Sequence, residues 1–468
     1  MTTDPGLRRL ALGTVLAAFA GPALPDPIGE LLSDGLAGVT LFATNIGEPA
    51  RLTATNIGEP ARLTAELRAV KADVLVAADE EGGDVTRLAH RRGSPYPGNA
   101  ALGAVDDVDL TRGVYAALGA DLAAAGINLG LAPVADVNTT DDNPVIGTRS
   151  FGSDPALVAR HTAAAVTGLQ STGVAACAKH FPGHGATVTD SHLALPTVDA
   201  PLDLLRRRDL PPFAAAVAAG ARAIMTGHLR VPALTGDNPA TFSRAVGDLL
   251  RHEYAHRGAI LTDALEMRAL TTAPGESAVL ALSAGADLLC LGARVDRPLV
   301  ERVVTEIAEA TTDGRLPLSR LEEAAARTAA LAERPDIGLA AARRALRVEG
   351  DPAGFAGALV VRVHAGRTIV EGRVPWGLPA EREITAAATP EELLTWAGGR
   401  PVVLCGRRLH RDPGVQELIE ALAARHPVAV VEMGWPSGWR PAGVRAFLLT
   451  YGAGPANARA ASEALDTL

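Results

Sequence analysis

The amino-acid sequence predicts an α/β protein, a closed (β/α)8 TIM barrel followed by a smaller α/β sandwich domain. Three observations predict the barrel. Eight short apolar runs recur along the first part of the 468-residue chain. They show little apolar–polar alternation, as expected of strands covered on both faces. Segments with apolar residues at i, i+3 and i+4 separate most of them, and such strand–helix alternation closes a parallel sheet on itself.

The runs are Leu10–Ala18, Gly38–Phe42, Asp73–Ala78, Ile127–Val134, Ala175–Ala178, Ala223–Thr226, Ala259–Thr262 and Ala286–Leu291. Helical patterns include Leu110–Ala125, Ala156–Leu169 and Ala278–Ala284. Asp79, Lys179, His180, His228 and Asp263 each stand at or just after the end of a run. In a barrel these strand ends meet at one rim, where active sites sit. Periodicity alone thus gathers scattered polar residues into one pocket.

Residues 1–340 are read as the barrel, 341–357 as a linker containing Glu349-Gly350-Asp351-Pro352, and 358–468 as the small domain. The last part holds four strand-like runs, Leu359–Val363, Pro401–Cys405, Val428–Glu432 and Ala446–Thr450, with helices over Val415–Ala424 and Asn457–Leu465. Trp435 and Trp439 are expected to pack against the barrel in preference to lining a sugar cleft.

Hydrophobic residues make up 48% of the chain, enough for a large core, which excludes global disorder. The net charge is −9 with no basic block, which disfavours nucleic acid and anionic membranes as partners. No apolar run approaches the ~20 residues of a membrane span. Cys177, Cys290 and Cys405 lie in separate apolar runs without CxxC spacing and read as small buried hydrophobes. No metal-ligand spacing such as HExxH occurs, and no cofactor is expected. Arg8-Arg9 and the apolar Leu10–Ala18 mimic a signal peptide, yet the same segment is needed as the first barrel strand. A cytoplasmic location is therefore expected, with secretion as the alternative. The oligomeric state stays open.

The undecapeptide ATNIGEPARLT occurs twice in succession, over 43–53 and 54–64. One copy suffices to join the second strand to its helix, with Pro in the first helical turn. A second copy puts Pro60 where a continuous helix breaks, so an enlarged loop or broken turn on the rim is expected.

The densest signal is Lys179-His180-Phe181-Pro182-Gly183-His184-Gly185, followed by Asp190-Ser191-His192. A buried strand runs straight into a loop crowded with ionisable side chains. Asp-Ser-His also lets a carboxylate charge and orient an imidazole. These residues resemble the signature of bacterial family 3 glycoside hydrolases, in the β-N-acetylglucosaminidase branch. Further pieces match in order: Asp79-Glu80-Glu81-Gly82-Gly83, Ala132-Pro133-Val134, Pro144-Val145-Ile146-Gly147 with Arg149-Ser150-Phe151-Gly152, Met225-Thr226-Gly227-His228, and Thr262-Asp263-Ala264-Leu265. The resemblance covers roughly residues 8 to 335.

The resemblance implies Asp263 as nucleophile, His192 as acid/base and Asp190 as its charge partner. It further implies that Asp79, Arg149, Lys179 and His180 hold sugar hydroxyls, with His228 lining the pocket. The residues themselves leave open that Asp263 merely caps the next helix, whose first turn would hold Glu266. Glu80 and Glu81 are expected to brace their loop and His184 to shape its own. His161, His252 and His256 are expected at the surface. The implied partner is a β-GlcNAc-containing oligosaccharide, a muropeptide or a chitin fragment, cleaved with retention through a glycosyl-Asp intermediate. The alternatives are a β-N-acetylglucosaminide phosphorylase and a non-catalytic sugar-binding barrel.

Overall fold

The computed structural model describes residues 4–46, 58–191, 193–292, 296–333, 337–364 and 376–467. Each predicted barrel run overlaps a strand: β1 (Val15–Ala17), β2 (Gly38–Leu41), β3 (Leu75–Ala78), β4 (Leu129–Gly130), β5 (Ala175–Phe181), β6 (Ala223–Thr226), β7 (Ala259–Ala264) and β8 (Leu288–Cys290). They pair in parallel and in chain order, and β1 closes the barrel by pairing with both β2 and β8. The first run is shared between two elements. The helix Pro5–Leu12, capped by the Asp4 carboxylate, takes its beginning, and β1 takes its end.

Strand geometry sends alternate residues to opposite faces, and both faces here are apolar. Leu75, Ala77, Ala175, Cys177, Ala223, Met225, Ala259, Leu261 and Leu288 form the core inside the barrel. Val76, Ala78, Ala176, Ala178, Ile224, Ile260 and Leu289 belong to the core shared with the helices. The inward parity continues upward through Asp79 after β3, Lys179 in β5, and Asp263 in β7. The inner face therefore changes from aliphatic to ionisable at the C-terminal mouth.

Pro133 offers no N–H to a ladder, and β4 is correspondingly short. Beyond it the chain stays beside β5 through Ala135 N donating to Lys179 O (2.7 Å) and Lys179 N donating to Pro133 O (3.1 Å). Register shifts interrupt the β5–β6 and β7–β8 ladders at the same mouth. Such irregularities re-aim side chains next to active sites.

In the doubled segment, the first copy begins as a turn of 3-10 helix, Ala43–Asn45, and Asn45 donates to Phe19 O and Gly21 O (both 2.8 Å). The second copy opens the helix Gly58–Val70 with Pro60 in its first turn, where a missing N–H costs no helical hydrogen bond. The expected enlarged loop falls on residues 47–57, outside the described residues.

The chain divides into two compact units, Met1–Arg334 and Pro335–Leu468. The second is a sheet in the order β11-β10-β12-β13-β14-β9. Its strands are β9 (Arg347–Gly350), β10 (Leu359–Val363), β11 (Arg382–Ile384), β12 (Val402–Gly406), β13 (Val428–Glu432) and β14 (Ala446–Leu449). Only β9 runs antiparallel. Segment 341–357 departs from the linker expected there: it carries the end of the helix Ile337–Ala345 and the edge strand β9. The exposed pattern of β9 left no apolar signal to read. Trp439 packs edge-on against Phe447 of the same unit, and Trp435 is 83% exposed.

Candidate active site

A cavity of about 860 Å³ opens at the barrel mouth, lined by residues that include Asp79, Glu81, Arg87, Arg149, Lys179, His180, His184 and Asp263. Most are separated widely in sequence, and strand order brings them together.

Lys179 is the hub. It is 1% exposed, and its Nζ lies 2.7 Å from Asp79 Oδ1 and 2.6 Å from Glu81 Oε1. Arg149 meets Glu81 through both fork nitrogens, Nε to Oε2 (2.9 Å) and Nη2 to Oε1 (2.8 Å), and Arg87 Nη2 donates to Asp79 Oδ2 (3.1 Å). Burial opposes the charge on each carboxylate, but Lys179 leads the cations that outweigh it. Asp79 is held below the usual carboxylate range and Glu81 is held down to about 2. Burial likewise opposes the Lys179 charge, and Asp79 and Glu81 more than restore it. The cluster is ionised and preorganised, with mixed charge suited to sugar hydroxyls.

The loop beneath it is held by Glu80, whose buried Oε2 accepts from Arg87 N (2.8 Å) and Leu88 N (3.0 Å). Gly83 has φ +56°, and a Cβ there would lie 2.7 Å from Gly98 Cα, so no larger residue fits. Glu80 thus braces the loop, as expected. Glu81 does more, since it lines the cavity within the ion-pair cluster.

Asp136 was missed by the sequence reading. It is fully buried, accepts from His180 Nδ1 (2.8 Å) and His184 N (2.7 Å), and lies 3.2–3.3 Å from His180 N. The Nδ1 bond to the Asp136 carboxylate fixes the orientation of the His180 ring. Asp136 lies two residues past the Ile127–Val134 run, as His228 lies two past its own, so the same strand-end rule applied to it would have found it. Arg87 was also missed. It lies well beyond a strand end, and only the fold of its loop returns it to the cavity.

Asp263 stands on the inner face of β7. Among the described residues, the one hydrogen bond to its carboxylate comes from Ala264 N, on Oδ1 (2.8 Å). Burial works to raise its pKa. The His228 and His180 imidazoles, the Ala264 amide and Lys179 outweigh that and hold it below the ordinary carboxylate range. Asp263 is therefore ionised with an oxygen left open, whereas Asp79 and Glu81 are consumed by cations. No helix follows it. Residues 265–269 are turn, and the next helix begins at Pro274. Glu266 thus lies on the cavity wall, with Oε1 accepting from Gly292 N, and burial raises its pKa.

His228 does not line the cavity. It is fully buried, Nε2 donates to Ala264 O (2.9 Å), and Nδ1 accepts from Thr241 Oγ1 (2.7 Å). It braces the backbone next to Asp263 and has no nitrogen left for substrate. Ser191 lines the cavity, and Asp190 O accepts from Leu193 N (2.9 Å) and Ala194 N (3.1 Å) in the turn that carries it. His192 lies outside the described residues.

His252 is exposed, as expected, but His161 and His256 are buried. His161 bonds Thr111 Oγ1 (2.8 Å) and Asp106 Oδ1 (3.0 Å), and His256 faces Ala259 O (3.2 Å). Helical periodicity does not say which face a lone His occupies. The three cysteines are free and buried. Among the described residues, no group of three or more His, Cys, Asp or Glu is arranged to hold a metal ion. No described helix is long and apolar enough to cross a membrane.

A barrel mouth that joins an open, ionised carboxylate to a fixed cluster of buried ion pairs fits a carbohydrate-processing enzyme. Residues 26–331 match the glycosyl hydrolase family 3 N-terminal domain, so the chain belongs to that family. It is 33% identical over 332 residues to β-hexosaminidase A of Pseudoalteromonas piscicida, covering 66% of this chain and 55% of that protein. It is 37% identical over 264 residues to β-hexosaminidase LpqI of Mycobacterium tuberculosis, covering 55% of this chain and 67% of the relative. The chain thus spans only about half the length of the first of these relatives. Among solved structures, a family 3 β-N-acetylglucosaminidase from Paenibacillus sp. str. FPU-7 superposes with a TM-score of 0.65 at 31% identity, covering 98% of this chain and 96% of the other.

Proposed function

We propose that this chain is a retaining β-N-acetylglucosaminidase that releases terminal β-linked GlcNAc from cell-wall muropeptides or chitooligosaccharides. The observation that carries the reading is Asp263: ionised, inward-facing, and open at one oxygen beside the Asp79–Lys179–Glu81–Arg149 cluster. The names of the relatives support the same choice of sugar.

In this reading the cluster and His180 hold the hydroxyls of the terminal sugar and place its anomeric carbon over Asp263. An Asp263 oxygen attacks that carbon as its bond to the aglycone oxygen breaks. The His192 imidazolium, charged by Asp190, gives its proton to the departing oxygen. Water then attacks the anomeric carbon, His192 takes its proton, and Asp263 is released.

Turnover of a chromogenic aryl β-GlcNAc, with and without inorganic phosphate, tests the reading. Release of free GlcNAc that phosphate leaves unchanged is expected. A sugar 1-phosphate product would make the enzyme a phosphorylase, and binding of GlcNAc without any turnover would make the barrel a non-catalytic sugar binder.

A further inference from the structure

We propose that His184 Nε2 is a further substrate-binding atom of this cleft, hydrogen-bonding a hydroxyl or acetamido group of the sugar being cleaved. The inference rests on the glycosidase reading above and names a contact within that site. His184 is 2% exposed yet lines the cavity. Its backbone N–H is taken by Asp136 Oδ1 (2.7 Å), and its Nδ1 is taken by Thr187 Oγ1 (2.7 Å). Its Nε2 is buried and has no hydrogen-bond partner among the described residues.

Among the imidazoles at this mouth, His184 alone has a buried nitrogen without a hydrogen-bond partner among the described residues. Asp136 occupies His180 Nδ1, and protein groups occupy both nitrogens of His228. Leaving a buried polar nitrogen unpaired costs about 1–3 kcal/mol. On a cavity wall that cost is recovered when a ligand brings a polar oxygen to the nitrogen.

The ring is also fixed in place. Beyond its own bonds, a Cβ on the adjacent Gly185 would lie 1.9 Å from Val137 O, so the loop packs backbone to backbone on the β4 extension. Little reorganisation is needed to make the contact. Burial, then the neighbouring His180, holds His184 below the ordinary imidazole value. The ring is therefore neutral at neutral pH. It can bond a sugar oxygen without placing a positive charge against the cationic sugar of the transition state.

The test compares wild type with His184→Ala and with His184→Gln, whose amide nitrogen reaches near the Nε2 position. Kinetics on aryl β-GlcNAc substrates of good and poor leaving groups, and melting temperature, are measured together. His184→Ala is expected to lose about tenfold in kcat/KM. The loss should be equal for both leaving groups, and His184→Gln should recover most of it at an unchanged melting temperature. A His184→Ala enzyme within twofold of wild type overturns the inference. So does a loss confined to poor leaving groups, which would make His184 a proton donor. Equal losses in both variants with lowered melting temperatures also overturn it, by making the role structural. If wild type cleaves no β-GlcNAc at all, the glycosidase reading itself has failed. If wild type is active and the variants miss the pattern, only the His184 contact has failed.

Discussion

Lys179 Nζ sits 2.7 Å from Asp79 Oδ1, joining the inner face of β5 to the end of β3 across the barrel mouth. The same ammonium holds Glu81, so one buried cation bridges two carboxylates.

Removing that cation should unsettle fold and site together. Lys179→Met is expected to lower stability by about 3 kcal/mol at pH 7, since it strands buried charge. Glu81 has an ordinary value of 4.5 and is held down to about 2 in the folded protein. Its contribution is therefore present above about 4.5 and lost as pH falls toward about 2. The gap between wild type and variant should narrow over that window. Urea unfolding at several pH values measures it, and a gap constant down to pH 2 would refute the linkage.

Asp263→Ala is expected to abolish turnover with an unchanged melting temperature, because a residue at the mouth does not carry the barrel core. A 2-fluoro or 5-fluoro sugar should leave a covalent adduct on the peptide containing Asp263. Glu266 faces the same cavity, so mass spectrometry must place the adduct. An adduct on Glu266 would move the nucleophile there.

His192→Ala should slow cleavage of poor leaving groups far more than good ones, because only poor ones require the proton. Asp190→Ala should lower the apparent pKa of the basic limb of the rate profile, since it removes the carboxylate that favours the imidazolium. Equal losses across all leaving groups would place the acid/base elsewhere.

Asp136→Asn should act through His180. The amide cannot accept from His180 Nδ1 and from the His184 backbone as the carboxylate does. A loss of about 10–100-fold in kcat/KM is expected, and His180→Ala should add little to it in the double variant. Additive losses would show that the two residues act independently.

Deleting residues 54–64 should leave a folded, active protein. The copies are identical, so the remaining one still supplies both the Asn45 anchor and the helix start with Pro in its first turn. The shortened loop costs little in closure entropy. A cooperative melt and retained activity on aryl β-GlcNAc check this. Insoluble protein would mean that the second copy is integral to the barrel.

The barrel and much of its mouth were legible in the sequence because strand periodicity is local. Each apolar run marks a strand covered on both faces, and the two-residue alternation that buries Leu75, Ala77, Ala259 and Leu261 inside carries Asp79 and Asp263 inward above them. The second-unit edge strand β9 escaped notice because its residues are all exposed.

Partnership was not legible, because it depends on how the closed barrel brings distant strand ends together. Lys179 and Asp79 are 100 residues apart, and His180 and Asp136 are 44 apart. Spacing gave no means of telling that Asp136 orients His180, or that Glu81 belongs to the cation cluster. Nor could the strand-end position of His228 show that Thr241 and Ala264 consume both its nitrogens. A one-dimensional pattern determines which face of a strand a side chain occupies. Which atoms it meets there is decided only when eight strands close into one ring.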